Sequence, residues 1–390
     1  LILSLSAALI GCGQATKQAT TQGNQQVEPA FKAEVDYSAA PVAFVDPQAI
    51  RQSALDVGTR ATSWQLARLD NFDYIPASKV NKKIADPKEW IQGAFYIGLT
   101  RWADTLDDQT LVQAMAKIAK DNDYQTGHRP MHGDEHAIGQ MYLWLHEKTG
   151  NKATYAPIQA TFDNILANKP TNSLEFFESE EPGFEGTCQD RWCWADAIFM
   201  APPVWTKLSA LTGNNKYLDF MDKEFWQTTE YLYNKEEQLY LRDSRYFERK
   251  DSKGRLVYWG RGNGWVLAGI VRVLESMPKD YKNRDKYIAL YKEMSERLIL
   301  LQQKDGSWPS SLLEVETNST PESSGTGLLV YALAWGVNEK VLPADKSTLN
   351  AVKLGWHSLV DSVQPNGKLG WVQQVAFAPG SATEQDTQLY

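Results

Sequence analysis

Three short stretches of this chain concentrate groups that can do chemistry. The first is His132-Gly133-Asp134-Glu135-His136, where carboxyl and imidazole groups crowd what reads as a helix start, a place where the helix dipole favours carboxylates. The second is Trp192-Cys193-Trp194-Ala195-Asp196, running into Ala197-Ile198-Phe199-Met200-Ala201-Pro202-Pro203. It sets one carboxyl among large apolar side chains. Such surroundings penalise the ionised form and keep a carboxyl protonated near neutrality, as a general acid requires. Consecutive prolines suit a helix start, so Asp196 belongs just ahead of a helix or in its broken first turn. The third is Trp259-Gly260-Arg261-Gly262-Asn263-Gly264-Trp265. An Arg between tryptophans can clamp a carboxylate with its two-pronged fork while an indole stacks on a ring. Its glycines do not make a phosphate loop, because no Lys-Ser/Thr follows. Arg242 and Arg245 add positive charge in the segment before it.

Plainer readings stand beside these. Asp134 and Asp196 could be helix caps, and the Arg261 segment a tight turn without ligand. Literally, His132 to His136 also matches the H-x-x-E-H pattern of inverted zinc peptidases. Yet Gly133 lies inside the pattern and Pro130 just before it, which argues against one helix face carrying both imidazoles. The chain has only five His and no second Cys or His pair nearby, so no metal site is expected.

Placing these groups falls to helices. Amphipathic patterns run over 46–69, 90–106, 111–123, 133–149, 154–168, 194–212, 216–233, 262–277, 284–303, 324–341 and 346–363, eleven segments in all. Strand patterns are short, as in Gln238–Arg242 and Arg255–Trp259. A weak repeat is visible: Thr149-Gly150-Asn151 precedes Tyr155, and Thr212-Gly213-Asn214 precedes Tyr217. Asp305-Gly306-Ser307-Trp308 is echoed by Asn366-Gly367 and Trp371. Both echoes lie about 60 residues apart, the length of a helical hairpin with its loops. Six such hairpins closed in a ring give an all-α (α/α)6 barrel; an open solenoid is the alternative. Long loops at 170–193 and 241–261 favour the barrel, since such loops usually carry function.

The first residues, LILSLSAALIG, form an apolar run too short to span a bilayer. It reads as the remainder of a secretory signal, and Leu9-Ile10-Gly11-Cys12 resembles a bacterial lipobox whose Cys is lipidated. Residues 1–12 are therefore expected to be a lipoprotein signal, 13–45 a polar tether, and 46–390 the catalytic domain. The expected location is the bacterial cell envelope, with the membrane reached only through the lipid. An oxidising compartment would permit a disulfide between Cys188 and Cys193. A net charge of -8 without a basic stretch argues against a nucleic-acid partner, and an anionic ligand would need a local arginine cluster. The 14 tryptophans fit either core filling or sugar stacking.

At these residues the chain resembles the unsaturated uronyl hydrolases of glycoside hydrolase family 105 and, more distantly, family 88. Trp194-x-Asp196 with Met200-Ala201-Pro202-Pro203, the Trp259–Trp265 element, and Pro321-Glu322-Ser323-Ser324-Gly325 running into Tyr331-Ala332-Leu333-Ala334-Trp335-Gly336 carry the likeness, which covers about residues 50–375. The resemblance implies an (α/α)6 barrel, no metal or other cofactor, and hydration of the C4=C5 double bond of a terminal unsaturated uronic acid on a lyase-generated oligosaccharide. It implies Asp196 as general acid/base and Asp134 as the second active-site Asp. It implies Arg261 as the carboxylate clamp and Trp194, Trp259 and Trp265 as pocket aromatics; Arg242 and His136, from the residues themselves, are further expected substrate-binding groups. Rhamnogalacturonan-type members often show a His in the segment matching Leu239–Asp243; here Arg242 is nearest, which opens a glucuronyl substrate, such as a sulfated algal fragment, beside a galacturonyl one. An ordinary inverting glycosidase on the same fold and a non-catalytic sugar-binding lipoprotein are the alternatives.

Overall fold

The computed structural model describes residues 47–69, 86–176, 187–314 and 321–373. The signal-like run, Cys12 and the stretch 13–45 lie outside the described residues, as does 177–186 within the first long loop. The described helices are α1 Pro47–Leu66, α2 Trp90–Leu106, α3 Gln109–Asp121, α4 Gly139–Thr149, α5 Ala156–Ala167, α6 Ala197–Met200, α7 Pro202–Thr212, α8 Asn215–Leu232, α9 Gly260–Ser276, α10 Arg284–Leu300, α11 Ser323–Asn338 and α12 Lys346–Ser362. Each of the eleven anticipated segments is helical. Two are broken where chemistry was anticipated. The segment 133–149 opens as a 3-10 turn over Gly133–His136 before α4 begins. The segment 194–212 divides into α6 and α7 at Ala201, where Pro202 and Pro203 occupy the first turn of α7, positions whose missing N–H costs nothing.

The repeat seen in the sequence is a repeated helix ending. Gly150 and Gly213 follow α4 and α7 in the left-handed region, at φ 67 and 66. Thr149 and Thr212 each bond back to the carbonyl four residues earlier, both at 2.7 Å. Asn151 and Asn214 then accept from the backbone N–H two residues on, at 3.0 and 3.2 Å. A left-handed Gly ends one helix and an Asn cap starts the next. Gly306 and Gly367 repeat another turn after α10 and α12, where Gln303 and Gln364 donate to Ser307 O and Lys368 O at 2.9 and 2.8 Å.

Burial separates an inner layer from an outer one. The first twelve residues of α9, Gly260 through Val271, are all buried, and beyond Arg272 so are Val273 and Leu274. Along α10 the buried residues are Tyr287, Leu290, Tyr291, Met294, Ser295 and Leu298, the one-sided stripe of an outer helix. Ile97 of α2, Phe199 and Met200 of α6, Trp265 and Ala268 of α9, and partly buried Leu328 and Tyr331 of α11 meet in one central cluster. Arg60 of α1 donates to Gln364 O beyond α12 at 3.0 Å, so the first and last described helices are joined. An open solenoid, whose repeats touch only their neighbours, would hold them apart. The architecture is the (α/α)6 barrel.

Short β-bridges brace the loops at the N-terminal ends of the inner helices. A hairpin pairs β1 Tyr233–Asn234 with β2 Leu239–Tyr240 and feeds the loop toward α9. Trp259 pairs with Ser311 and Trp308 with Glu322, tying the segments before α9 and α11 to the one after α10. A cavity of about 500 Å³ opens among Arg101, Trp144, Arg272, Glu275 and Trp335, near the C-terminal halves of α2, α4, α9 and α11. None of the chemically marked residues lines it.

Candidate active site

Asp196 is held by its own neighbourhood. Cys188 and Cys193 form a disulfide ahead of it, and Trp192 adopts the left-handed conformation at φ 58. Ala195 N–H then donates to Arg242 O at 2.8 Å, pinning the turn to the loop before α9. Asp196 begins α6 with helical backbone angles and makes no side-chain cap. Its Oδ2 is buried and has no hydrogen-bond partner among the described residues, so it is not spent as a helix cap. Burial pushes the carboxyl above its ordinary pKa; Arg242 and Arg261 pull it down, Asp243 pushes it up, and the net shift is upward. A buried carboxyl that makes no structural bond through one oxygen and favours its protonated form has the properties of a proton donor.

Asp134 comes from the 3-10 turn, where its own N–H donates to His132 Nδ1 at 3.2 Å. Gly133 lets this turn lie against the Asp196 segment. A Cβ there would come within 3.1 Å of Trp192 Cδ1 and 3.3 Å of both Ala197 Cβ and Trp194 Cη2. Asp134 keeps partial solvent contact while enough protein surrounds it that burial pushes its pKa well up, with the Asp196 charge acting in the same direction. That combination belongs to a group facing a recess. Two carboxyls that each raise the cost of ionising the other share protons more readily than isolated ones.

Opposite charge comes from two guanidinium groups. Arg261, in the first turn of α9, is 6% exposed and lies 4.8 Å from the Trp259 ring centre. Its Nη1 donates to Gln373 O at 2.6 Å and to Ser324 Oγ at 3.3 Å. Arg242 lies 5.8 Å from the same ring and pairs with Asp243. Asp243 is fully buried and also binds Arg245 through Nε and Nη2, at 2.9 and 3.0 Å. Trp259 Nε1 donates to Gln373 Oε1 at 2.7 Å, which fixes the indole that both cations address. Trp194 packs on His132, ring centres 5.0 Å apart, and Trp265 on Phe199 at 4.6 Å. Asp196, Asp134, Arg261, Arg242, Trp194 and Trp259 are thus brought together; Trp265 joins from the central apolar cluster.

His136 does not join them. Its Nε2 bonds to Pro130 O at 2.7 Å, and its Nδ1 accepts from Trp205 Nε1 at 3.4 Å. The ring packs against Phe162, which stacks on Trp205 at 3.8 Å. Burial drives its pKa down to about 4, so it is a neutral core imidazole with both nitrogens engaged. The expectation that it binds substrate is corrected by this: two residues past Asp134 in the 3-10 turn, its side chain leaves the face of Asp134 and points to the aromatic core. The zinc reading fails on the same bonds, since neither His136 nitrogen is left to ligate. Among the described residues no group of three His, Cys, Asp or Glu side chains is arranged to hold a metal ion.

Three residues of the site were not anticipated. Asp243 clamps the arginines of the loop; a carboxyl between Arg242 and Arg245 was a visible signal. Glu322 caps α11 beside Arg261, signalled by the Ser-Ser-Gly that follows it. Gln373, which holds both Trp259 and Arg261, has no local signal at all.

A ring of helical hairpins with paired carboxyls facing an Arg–Trp wall defines a carbohydrate-active enzyme of the α/α-barrel class. The chain belongs to Glycosyl Hydrolase Family 88, whose model matches residues 59–388; it is a glycoside hydrolase. An Unsaturated 3S-rhamnoglycuronyl hydrolase of Alteromonas sp. (strain LOR) is 44% identical over 88% of this chain and 84% of that protein. A second protein of that name, from Formosa agariphila, is 36% identical over 77% of this chain and 81% of its own. Among solved structures, a glycosyl hydrolase family 88 protein from Bacteroides vulgatus superposes with a TM-score of 0.72 at 23% identity, covering 87% of this chain and 95% of that one. That likeness is one of fold.

Proposed function

We propose that this enzyme removes a terminal 4,5-unsaturated uronic acid from lyase-generated oligosaccharides by hydrating its C4=C5 bond, and that the neighbouring sugar is a 3-sulfated rhamnose. The observation that carries the reaction is the buried Asp196 carboxyl, with Oδ2 unpartnered among the described residues, beside two guanidinium groups that share the Trp259 ring. It is a proton donor and an anion clamp in one recess. The two relatives named Unsaturated 3S-rhamnoglycuronyl hydrolase support the choice of sugar.

Arg261 takes the uronate carboxylate, and an indole of the wall takes the face of the ring. Asp196 gives its proton to C4, and the electron pair of the double bond forms the new C4–H bond. Positive charge develops at C5, shared with the ring oxygen. Water adds there and returns a proton to the Asp196 carboxylate, so the acid is regenerated and one water is consumed. The resulting hemiketal opens and releases the sugar. Asp134 holds the substrate and orients the water. Arg242 is the cation available to a second anionic group, the sulfate. This differs from ordinary glycosidases, where two carboxyls act at the anomeric carbon.

We also propose export and lipid anchoring through Cys12 in the cell envelope, on the strength of the lipobox-like Leu9-Ile10-Gly11-Cys12. The test of substrate is a panel of lyase products: unsaturated uronyl on 3-sulfated rhamnose, on unsulfated rhamnose, and an unsaturated galacturonyl rhamnoside. Loss of the ultraviolet absorbance of the conjugated double bond reports hydration. Fastest loss on the sulfated rhamnose substrate is expected. Sugar release with the double bond intact would replace this reading by the ordinary inverting glycosidase.

A further inference from the structure

Glu322 lies at the junction of three parts of the site and has no part in the chemistry set out above. It is 1% exposed and caps α11. Its Oε1 accepts from Ser324 N–H at 3.0 Å and Gln373 N–H at 3.2 Å, and its Oε2 accepts from Gly325 N–H at 2.7 Å. The Ser324 hydroxyl donates to it as well. Every one of these partners is a donor, the set that suits a carboxylate. A helix cap needs one or two such bonds; this one makes four and reaches beyond its own helix.

Two of the groups it holds are the partners of Arg261. Ser324 Oγ and Gln373 O accept from Arg261 Nη1, and Gln373 Oε1 also accepts from the Trp259 indole. The next residue helps fasten the same strip, since Ser323 Oγ donates to Gly370 O at 2.7 Å. A Cβ at Gly325 would come within 3.0 Å of Arg261 N and 2.8 Å of Glu322 Oε2, so the carboxylate and the start of α9 both lie against Gly325. Of the charged groups around Arg261, Glu322 has the largest influence on it, ahead of Asp196 and Arg242.

We infer that Glu322 is a positioning residue for the proposed hydration: it fixes the guanidinium of Arg261 through Ser324 and Gln373, and its negative charge limits how much of the Arg261 charge acts on Asp196. The inference rests on Asp196 being the proton donor. The charged groups around Asp196 are Arg242 and Asp243 from the loop before α9, Arg261 from α9, and Asp134 from the turn before α4. His132, packed on Trp194, is held neutral by its burial. Of the two cations, only Arg261 has Glu322 as its balancing carboxylate; Arg242 is balanced by Asp243. Neutralising Glu322 therefore exposes Asp196 to more positive charge, which favours its ionised form.

The experiment is the pH dependence of kcat and kcat/KM for Glu322→Gln, with Glu322→Asp and Gln373→Glu as companions. In Glu322→Gln the alkaline limb, where the donor loses its proton, moves to lower pH by about one unit. That corresponds to about a tenfold loss at neutral pH that recovers as the pH is lowered. Glu322→Asp keeps the charge and keeps the limb. Gln373→Glu adds a carboxylate beside the same guanidinium and moves the limb upward, so the idea stays testable if Glu322→Gln does not fold. A loss that is uniform across pH in Glu322→Gln, or a limb unmoved in both Glu322→Gln and Gln373→Glu, overturns the inference and leaves Glu322 a structural cap. Asp196→Asn, run alongside, separates the two ideas: an active Asp196→Asn removes the donor assignment itself, whereas an inactive one with unmoved limbs removes only the role of Glu322.

Discussion

Replacing Asp196 by Asn keeps the size of the side chain and takes away its transferable proton. An exposed Asp with a pKa of about 3.9 carries its proton in roughly one molecule in a thousand at pH 7, too few for an efficient donor. Burial shifts Asp196 upward against the pull of Arg242 and Arg261, and each unit of upward shift multiplies the protonated fraction by about ten. Removing a general acid costs on the order of 10² to 10⁴ in rate, so kcat of Asp196→Asn should fall by at least about two orders of magnitude while substrate still binds. Loss of double-bond absorbance measures the rate, and in heavy water wild type should place one deuterium at C4 of the released uronic acid. The same shift has a thermodynamic sign. A carboxyl whose folded pKa lies above its unfolded value binds more protons folded than unfolded between those two values, so it removes stability as pH rises through that window. Asp196→Asn should therefore be more stable than wild type at neutral pH, by about 1.4 kcal/mol for each unit of upward shift. The difference should vanish below about pH 4, where Asp is protonated in both states. Near wild-type turnover in Asp196→Asn, or a variant that is less stable at neutral pH, would refute the reasoning.

Arg261→Lys keeps the charge and loses the planar guanidinium, whose Nη1 bonds both Ser324 Oγ and Gln373 O; KM for unsaturated substrates should rise by about tenfold or more, and an unchanged KM would remove Arg261 as the carboxylate clamp. Cys12→Ala in the exported chain should abolish incorporation of labelled lipid and release the protein from membranes; equal membrane association of the variant would end the lipobox reading.

What the sequence by itself determined is the list of parts. Helix positions follow from local periodicity and from local punctuation: the Gly-Asn pairs at 150–151 and 213–214 end and start helices because a left-handed Gly and an Asn side-chain cap are short-range chemistry. The tandem prolines placed the break beside Asp196 for the same reason. Asp196, Arg261 and the tryptophans around them were legible because they crowd three short stretches. Only the tertiary structure decided which of them face one another. His136 shares a segment with Asp134, yet its ring nitrogens go to Pro130 O and Trp205, because a turn of helix sends neighbouring side chains in different directions. Glu322 and Gln373 reach the site from 61 and 112 residues beyond Arg261. Their partnership with it exists only when the ring of hairpins closes and brings the starts of α9 and α11 together with the strip after α12. No periodicity encodes such contacts, since they are set by packing between helices distant in the chain.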